Sequence, residues 1–313
     1  MSAHAPLGSE DFADAEQLSL SLSHTDVSAI QIGRGRFHAR LRRRTAGRWH
    51  LQQISFLAGA ASCAGAAAAD RYSFVVPQTV GAGCRLLGRD LTGAALGVYA
   101  PGGEHADVST AGLSECVLTP PPDLPDGLAA RAGGLPLPAS GSELRPVPGL
   151  ALGELRCLIG EVAALPAGRL LQPQIVRAVS DALERALLQA VAAAPAEPRR
   201  GRTPLPRAAT LRRLTEILEA QEGETVYASE LAVAAGVSYP TLQRIFEDWV
   251  GTPPARYLTL RRLYLARRRL ASGACTSVTE AATACGFWEL GRFARRYRAQ
   301  FGELPSQTLR RSR

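Results

Sequence analysis

The chain contains no lysine; all 36 basic side chains among its 313 residues are arginine. Every permanently charged basic side chain is therefore a planar guanidinium fork, the geometry suited to phosphate and to guanine. Cysteine is sparse and badly placed for metal. Cys63, Cys84, Cys116, Cys157, Cys275 and Cys285 form no C-x-x-C pair, and their gaps match no zinc spacing. They read as small buried apolar residues in a reducing compartment. Long hydrophobic runs are also missing. The longest, Phe56 to Ala69, is too short and too rich in Ala and Gly to span a bilayer, and the polar, acidic N-terminus is no signal peptide. A cytoplasmic protein without a membrane partner is expected. Paired catalytic carboxylates, a serine nucleophile elbow and a phosphate loop are absent, and "GRGRFH" lacks the dinucleotide fingerprint. His38, His50 and His105 form no His-x-His pair, and no metal site is expected at them. No catalytic, cofactor or metal residue is assigned, and no enzyme is expected.

What is present is an uneven charge. Residues 199–313 hold 20 arginines against 10 acidic residues, a net of +10. Residues 1–198 hold the other 16 arginines and 18 acids, a net of −2. A near-neutral body thus carries a basic tail, which points to a polyanion, with nucleic acid first; a solvated basic surface is the bland alternative. The length suits two domains.

Residues 1–24 are expected as a flexible N-terminal segment and residues 25–194 as a sensing domain. Short apolar or alternating runs broken by Gly and Pro, from "AIQIGRGRFHARLRR" to "SECVLTPPP", predict an antiparallel β-barrel or jelly roll of cupin-like form within an α+β chain. Two helices follow, near 149–165 and 172–194. Ile175, Val179, Leu183, Ala186, Leu187 and Val191 lie on one stripe of the second. That stripe either covers the β domain or forms a homodimer surface. Residues 195–209, rich in Pro and Arg, read as a linker. An all-α domain is expected over 210–313.

This last domain repeats a pattern. "GVSYPTLQRIF" starts at Gly236, and "GFWELGRFARRY" starts at Gly286. Each follows a short helix, and each glycine stands where a turn needs positive φ or a close helix approach. In the first copy Leu242, Ile245, Phe246 and Trp249 form the buried stripe, and the opposite face carries Pro240, Gln243, Arg244 and Glu247. In the second, Leu290, Phe293, Tyr297 and Phe301 face inward. Gly291, Arg292 and Arg295 face away, with Trp288 at the entry. Gln suits adenine and Arg suits guanine, so Gln243, Arg244, Arg292 and Arg295 are the candidate readers, while Gly291 would let the backbone near DNA. Arg292 and Arg295 could equally bind phosphate, and a helix-turn-helix can also be a plain helical core. Between the copies a long helix would hold the two readers at a fixed spacing, and its arginines 261, 262 and 267–269 read mostly as a solvated face.

The stretches "ELAVAAGVSYPTLQRIF", "GTPPARYLTLRRLYLARRRL" and "VTEAATACGFWELGRFARRYRAQFGELPS" resemble the DNA-binding domain of the AraC/XylS family of transcriptional regulators, over about a third of the chain. Thr308 stands where the family has an aromatic, which puts packing after the second unit in doubt. The resemblance implies a seven-helix domain, binding of double-stranded promoter DNA and activation through RNA polymerase. It carries base contact to Gln243, Arg244, Arg292 and Arg295. The N-terminal half is similar to the effector-sensing part of ethanolamine-operon regulators, which implies an unnamed small-molecule effector. Some DNA alkyl-repair enzymes carry the same helical domain beside a zinc-held cysteine nucleophile, and these are the alternative reading.

Overall fold

The computed structural model describes residues 8–124, 137–194, 210, 213–214, 216–218, 220–221 and 226–312. The expected linker, 195–209, lies outside the described residues. In chain order the N-terminal part contains β1 (Ser9–Phe12), α1 (Ala15–Leu20), β2 (Thr25–Gln31), β3 (His38–Ala46), β4 (Trp49–Ala58), β5 (Ala60–Ala67) and β6 (Ser73–Thr79). Then come β7 (Arg85–Leu86), β8 (Arg89–Asp90), β9 (Ala95–Tyr99), β10 (Glu104–Thr110), β11 (Ser114–Thr119), β12 (Ser142–Pro146), α2 (Gly149–Ala164) and α3 (Pro173–Ala193).

The strands form two antiparallel sheets and not one closed barrel. The larger runs β1-β3-β4-β11-β6-β9-β12 and the smaller runs β2-β5-β10-β7-β8. Period-two alternation explains why both faces of the larger sheet are filled. Trp49, Leu51, Phe74, Val76, Leu96, Val98, Cys116 and Leu118 point to one side. There they meet Leu152, Leu155 and Ile159 of α2 and Leu183, Leu187 and Val191 of α3. The intervening Ile54, Phe56, Val75 and Tyr99 point to the smaller sheet. The C-terminal half of the α3 stripe is therefore spent on covering the sheet.

Residues 8–24 are not a loose arm. Phe12, Ala15 and Leu18 are buried, β1 pairs with β3, and Asp14 caps α1 by accepting from the Glu16 amide at 2.8 Å. Cys157 on α2 is exposed and Cys63 half-buried, so neither is the buried apolar residue expected of it.

The C-terminal part contains α4 (Ala228–Ala235), α5 (Tyr239–Ile245) running into a π turn (Phe246–Val250), α6 (Pro254–Ala271), α7 (Val278–Ala284), α8 (Leu290–Phe301) and α9 (Pro305–Arg311). It packs directly on the β domain. Buried Gln31 and Gln300 exchange amides: Gln31 Nε2 donates to the Gln300 carbonyl at 3.1 Å, and Gln300 Nε2 donates to the Gln31 carbonyl at 2.7 Å. The Gln31 amide donates to the Tyr264 hydroxyl at 3.0 Å, and Arg267 pairs with Asp14 at 2.6 Å. The β7–β8 hairpin turns through Leu87 (φ 55) and Gly88 (φ 71), the two positive angles of a type I′ turn, and sets Gly88 against the Trp249 ring.

Gly251 closes the π turn at φ +72, and a Cβ there would come within 2.9 Å of the Val108 side chain on β10. Gly251→Ala should cost about 1–3 kcal/mol, from the strained φ and the clash together. Adding Val108→Ala should return only the steric part. Urea unfolding followed by the fluorescence of nearby Trp249 checks this; a midpoint unchanged by Gly251→Ala would refute it.

Candidate nucleic-acid interface

The two units are built alike from the backbone up. In the first, Gly236 ends α4 at φ +69; its amide reaches the Val233 carbonyl at 3.0 Å and the Val237 amide reaches that of Ala232 at 3.0 Å. In the second, Gly286 lies at φ +74; its amide bonds the Thr283 carbonyl at 3.0 Å and the Phe287 amide that of Ala282 at 2.9 Å. This is one Schellman-type closure used twice, and it explains why both copies open on Gly followed by an apolar residue. Ser238 then caps α5 by accepting from the Thr241 amide at 3.3 Å, and Pro240 sits in the first turn, where no amide is needed.

Burial sorts the side chains. Leu242, Ile245, Phe246 and Trp249 are buried in the first unit, and Phe293, Tyr297 and Phe301 in the second. Leu290 departs from the expected stripe at 39% exposed, because it is the first residue of α8 and precedes the packed turn. The second core is an aromatic ladder, with centroid spacings of 5.0 Å for Phe287–Phe293, 5.6 Å for Phe293–Tyr297 and 4.7 Å for Tyr297–Phe301. Thr308 does not loosen it. Its hydroxyl lies 2.8 Å from that of Tyr297, a buried bond in place of ring contact. Burial pushes the Tyr297 phenol up to about 12.

On the outer faces Arg244, Gly291, Arg292 and Arg295 are exposed, Gln243 is half-buried and Trp288 stands out at 80% exposed. Arg292 pairs with Glu289 at 3.2 Å, a contact open to solvent on both sides. Arg296 and Arg298 are exposed on α8, and Tyr239 and Thr241 at the start of α5. Arg296 shares a face with Arg292 by i,i+4 spacing, so the helical wheel alone would have found it.

The arginines of α6 do not form the solvated face expected of them. Arg267 pairs with Asp14 and stacks over Phe301 at 4.7 Å, Arg268 pairs with Glu16 at 3.3 Å, and Arg261 donates to the Leu218 carbonyl. Arg262 lies over Phe287 at 5.1 Å, where burial lowers its pKa. Arg268 stays exposed while making its pair, and the other three are half-buried because α6 is packed along most of its surface.

The other sequence candidates disperse. His38 pairs with Asp11 at 2.8 Å, His50 lies against His24 and His105 bonds Asp107 at 2.7 Å. No group of three or more His, Cys, Asp or Glu side chains could hold a metal among the described residues. Burial raises the Cys116 thiol, the reverse of what a cysteine nucleophile needs.

Two helix-turn-helix units on one connecting helix thus define the class of this domain. A helix-turn-helix domain family matches residues 231–311. The XylDLEGF operon transcriptional activator 3 of Pseudomonas putida is 41% identical over 101 residues, 32% of this chain and 30% of that protein. The probable thc operon regulatory protein of Rhodococcus erythropolis is 38% identical over 102 residues, 32% of this chain and 31% of that protein. The crystal structure of a probable AraC family transcriptional regulator from Rhodopseudomonas palustris is 37% identical, covers 34% of this chain and 98% of that one, and has a TM-score of 0.31. The C-terminal part of the chain is an AraC/XylS-family helix-turn-helix domain. The chain spans about a third of the length of the curated relatives named here, and the likeness is confined to this domain.

Gly291 offers a clean separation of stability from recognition. Nothing lies within 4 Å of where its Cβ would be, and its φ is ordinary. Gly291→Ala should leave stability unchanged or raise it by up to about 1 kcal/mol. If the α8 backbone comes close to DNA there, the same variant should still lose duplex affinity, measured by fluorescence anisotropy. Full affinity in Gly291→Ala and in Gly291→Val would show that the position does not approach DNA.

Proposed function

We propose that this chain is a sequence-specific, DNA-binding transcriptional regulator of the AraC/XylS type, working in the cytoplasm and set by a small molecule held in its N-terminal domain. The observation that carries this reading is the pair of identically closed units with arginine faces turned to solvent. Residues 210–313 would bind promoter DNA and residues 25–194 would sense the effector. Gln243, Arg244, Trp288, Gly291, Arg292 and Arg295 would form the DNA surface, with the α5 and α8 faces entering major grooves and their arginines meeting guanine or phosphate. The named Pseudomonas relative is a transcriptional activator, which supports activation with RNA polymerase as partner. A homodimer through α3 would have to use the half-buried Ile175 and Val179 end, since Leu183 to Val191 are packed on the sheet.

Duplex affinity should fall linearly with salt on logarithmic axes, with a slope of about −0.9 for each phosphate neutralised. Arg295→Ala should cost about 1–3 kcal/mol and flatten the preference at one base position. Equal weakening on every sequence would make Arg295 a phosphate contact. Absence of duplex binding at low salt would overturn the function itself.

A further inference from the structure

Between the two sheets lies a cavity of about 60 Å³. At ~10–15 Å³ per water this is room for roughly four to six waters, or for a ligand of about five heavy atoms. Apolar side chains from both sheets and from α1 make most of its wall, among them Leu18, Ile54, Val75 and Val117. Among the described residues, no arginine lines it.

Four of its polar lining groups, from three strands and both sheets, lie on facing walls. Tyr99 on β9 and Glu115 on β11 belong to the larger sheet, and His105 and Asp107 on β10 to the smaller. Two of them are already engaged. Asp107 bonds His105 at 2.7 Å through one carboxylate oxygen and accepts from the Leu87 amide at 3.4 Å through the other. The remaining two are not. The Tyr99 hydroxyl is buried, its residue only 4% exposed, and no atom meets it at hydrogen-bond geometry, although Asp107 is near enough to bear on it. The Glu115 carboxyl has neither a hydrogen bond nor an ion pair among the described residues. Burial, with Asp107 adding to it, raises that carboxyl to about 8, so at neutral pH it waits protonated for want of a counter-charge. A buried hydroxyl left open like that of Tyr99 is uncommon in a finished core, and the half-buried Glu115 borders the same empty space.

We propose that this cavity is a receptor site for a small primary amine with a short hydrocarbon body, its ammonium held by Glu115 and the Tyr99 hydroxyl and its carbons by the apolar wall. The inference rests on the reading of the N-terminal domain as a sensor and names what it senses. A carboxylate of the same size would meet Glu115 and Asp107 with no arginine to offset them. An alcohol would satisfy the hydroxyl but supply no charge to Glu115. The site is also wired outward. His105, Asp107 and Ser109 face the cavity from β10, and Val108 between them touches the Gly251 turn of the first DNA-binding unit.

Three isosteres test the claim on the full chain: n-butylamine, 1-butanol and butyrate, by calorimetry and thermal shift. Butylamine should bind at least about tenfold more tightly than butanol, and butyrate should not bind. Glu115→Gln keeps the size of a group that is already neutral when empty, so it should fold, with an unchanged circular dichroism spectrum and apo Tm. It should lose about tenfold or more in butylamine affinity while leaving butanol unaffected. Tyr99→Phe should weaken butylamine and butanol alike. Butyrate binding as well as butylamine, full butylamine affinity in Glu115→Gln, or no butylamine binding at all would each overturn the site. Duplex anisotropy with and without butylamine separates this from the regulator reading. Failure of the apo protein to bind duplex removes the regulator and leaves the amine result standing. Butylamine binding that leaves duplex affinity unchanged overturns the amine's role as the sensed effector.

Discussion

Helix α6 is packed along most of its surface, and the C-terminal domain is organised by that constraint. Its Leu258 enters the core shared by the first unit and the β domain, while Leu260, Leu263, Tyr264 and Leu270 enter the core of the second unit. At ~1.5 Å per residue its 18 residues span about 27 Å. A helix of that length, gripped at both ends by different cores, leaves little freedom in how the two reading helices are spaced. The same burial explains the fate of its arginines. A guanidinium on a packed helix must find a carboxylate, a carbonyl or a ring, and Arg267 finds two of these at once, Asp14 and Phe301.

The β domain takes part in that arrangement and does so at particular atoms. The last carbonyls of a helix have no partner within the helix. Arg85 on β7 donates to the Glu247 carbonyl at 2.6 Å at the end of the first unit. The Gly35 amide and Gln31 Nε2 donate to the Ala299 and Gln300 carbonyls at 3.0 and 3.1 Å, in the last turn of α8. Both reading helices are thus held at their C-terminal ends by one domain. A guanidinium at the negative end of a helix is favourable in its own right.

The local part of this architecture was legible in the sequence. The 3.6-residue period separated Phe293 and Tyr297 from Arg292 and Arg295, and a glycine before each unit marked a left-handed turn, because only glycine adopts that φ without cost. What was not legible is whatever depends on partners far along the chain. Arg267 and Asp14 are 253 residues apart, and no periodicity links them. The short strand and helix before residue 24 were missed because polar acidic residues mask the few buried ones, Phe12, Ala15 and Leu18. Of the barrel or jelly roll expected, the closed barrel is not what forms, because alternation shows which face a residue takes and not which strands pair. The cavity groups escaped for the same reason: Tyr99, His105 and Glu115 sit on different strands and meet only through tertiary pairing.

Holding both helices by their C-termini has a consequence for recognition. In helix-turn-helix proteins the N-terminal residues of the second helix reach the base edges. Here those turns, with Tyr239 and Thr241 in one unit and Trp288, Gly291 and Arg292 in the other, remain open while the opposite ends are docked. Docking and reading therefore do not compete for the same surface. A β domain placed this way need not leave for the arginine faces to be reachable. It touches both heads, through Arg85 on one and Gln31 on the other. Both contacts issue from the smaller sheet, whose strand β10 also forms a wall of the cavity.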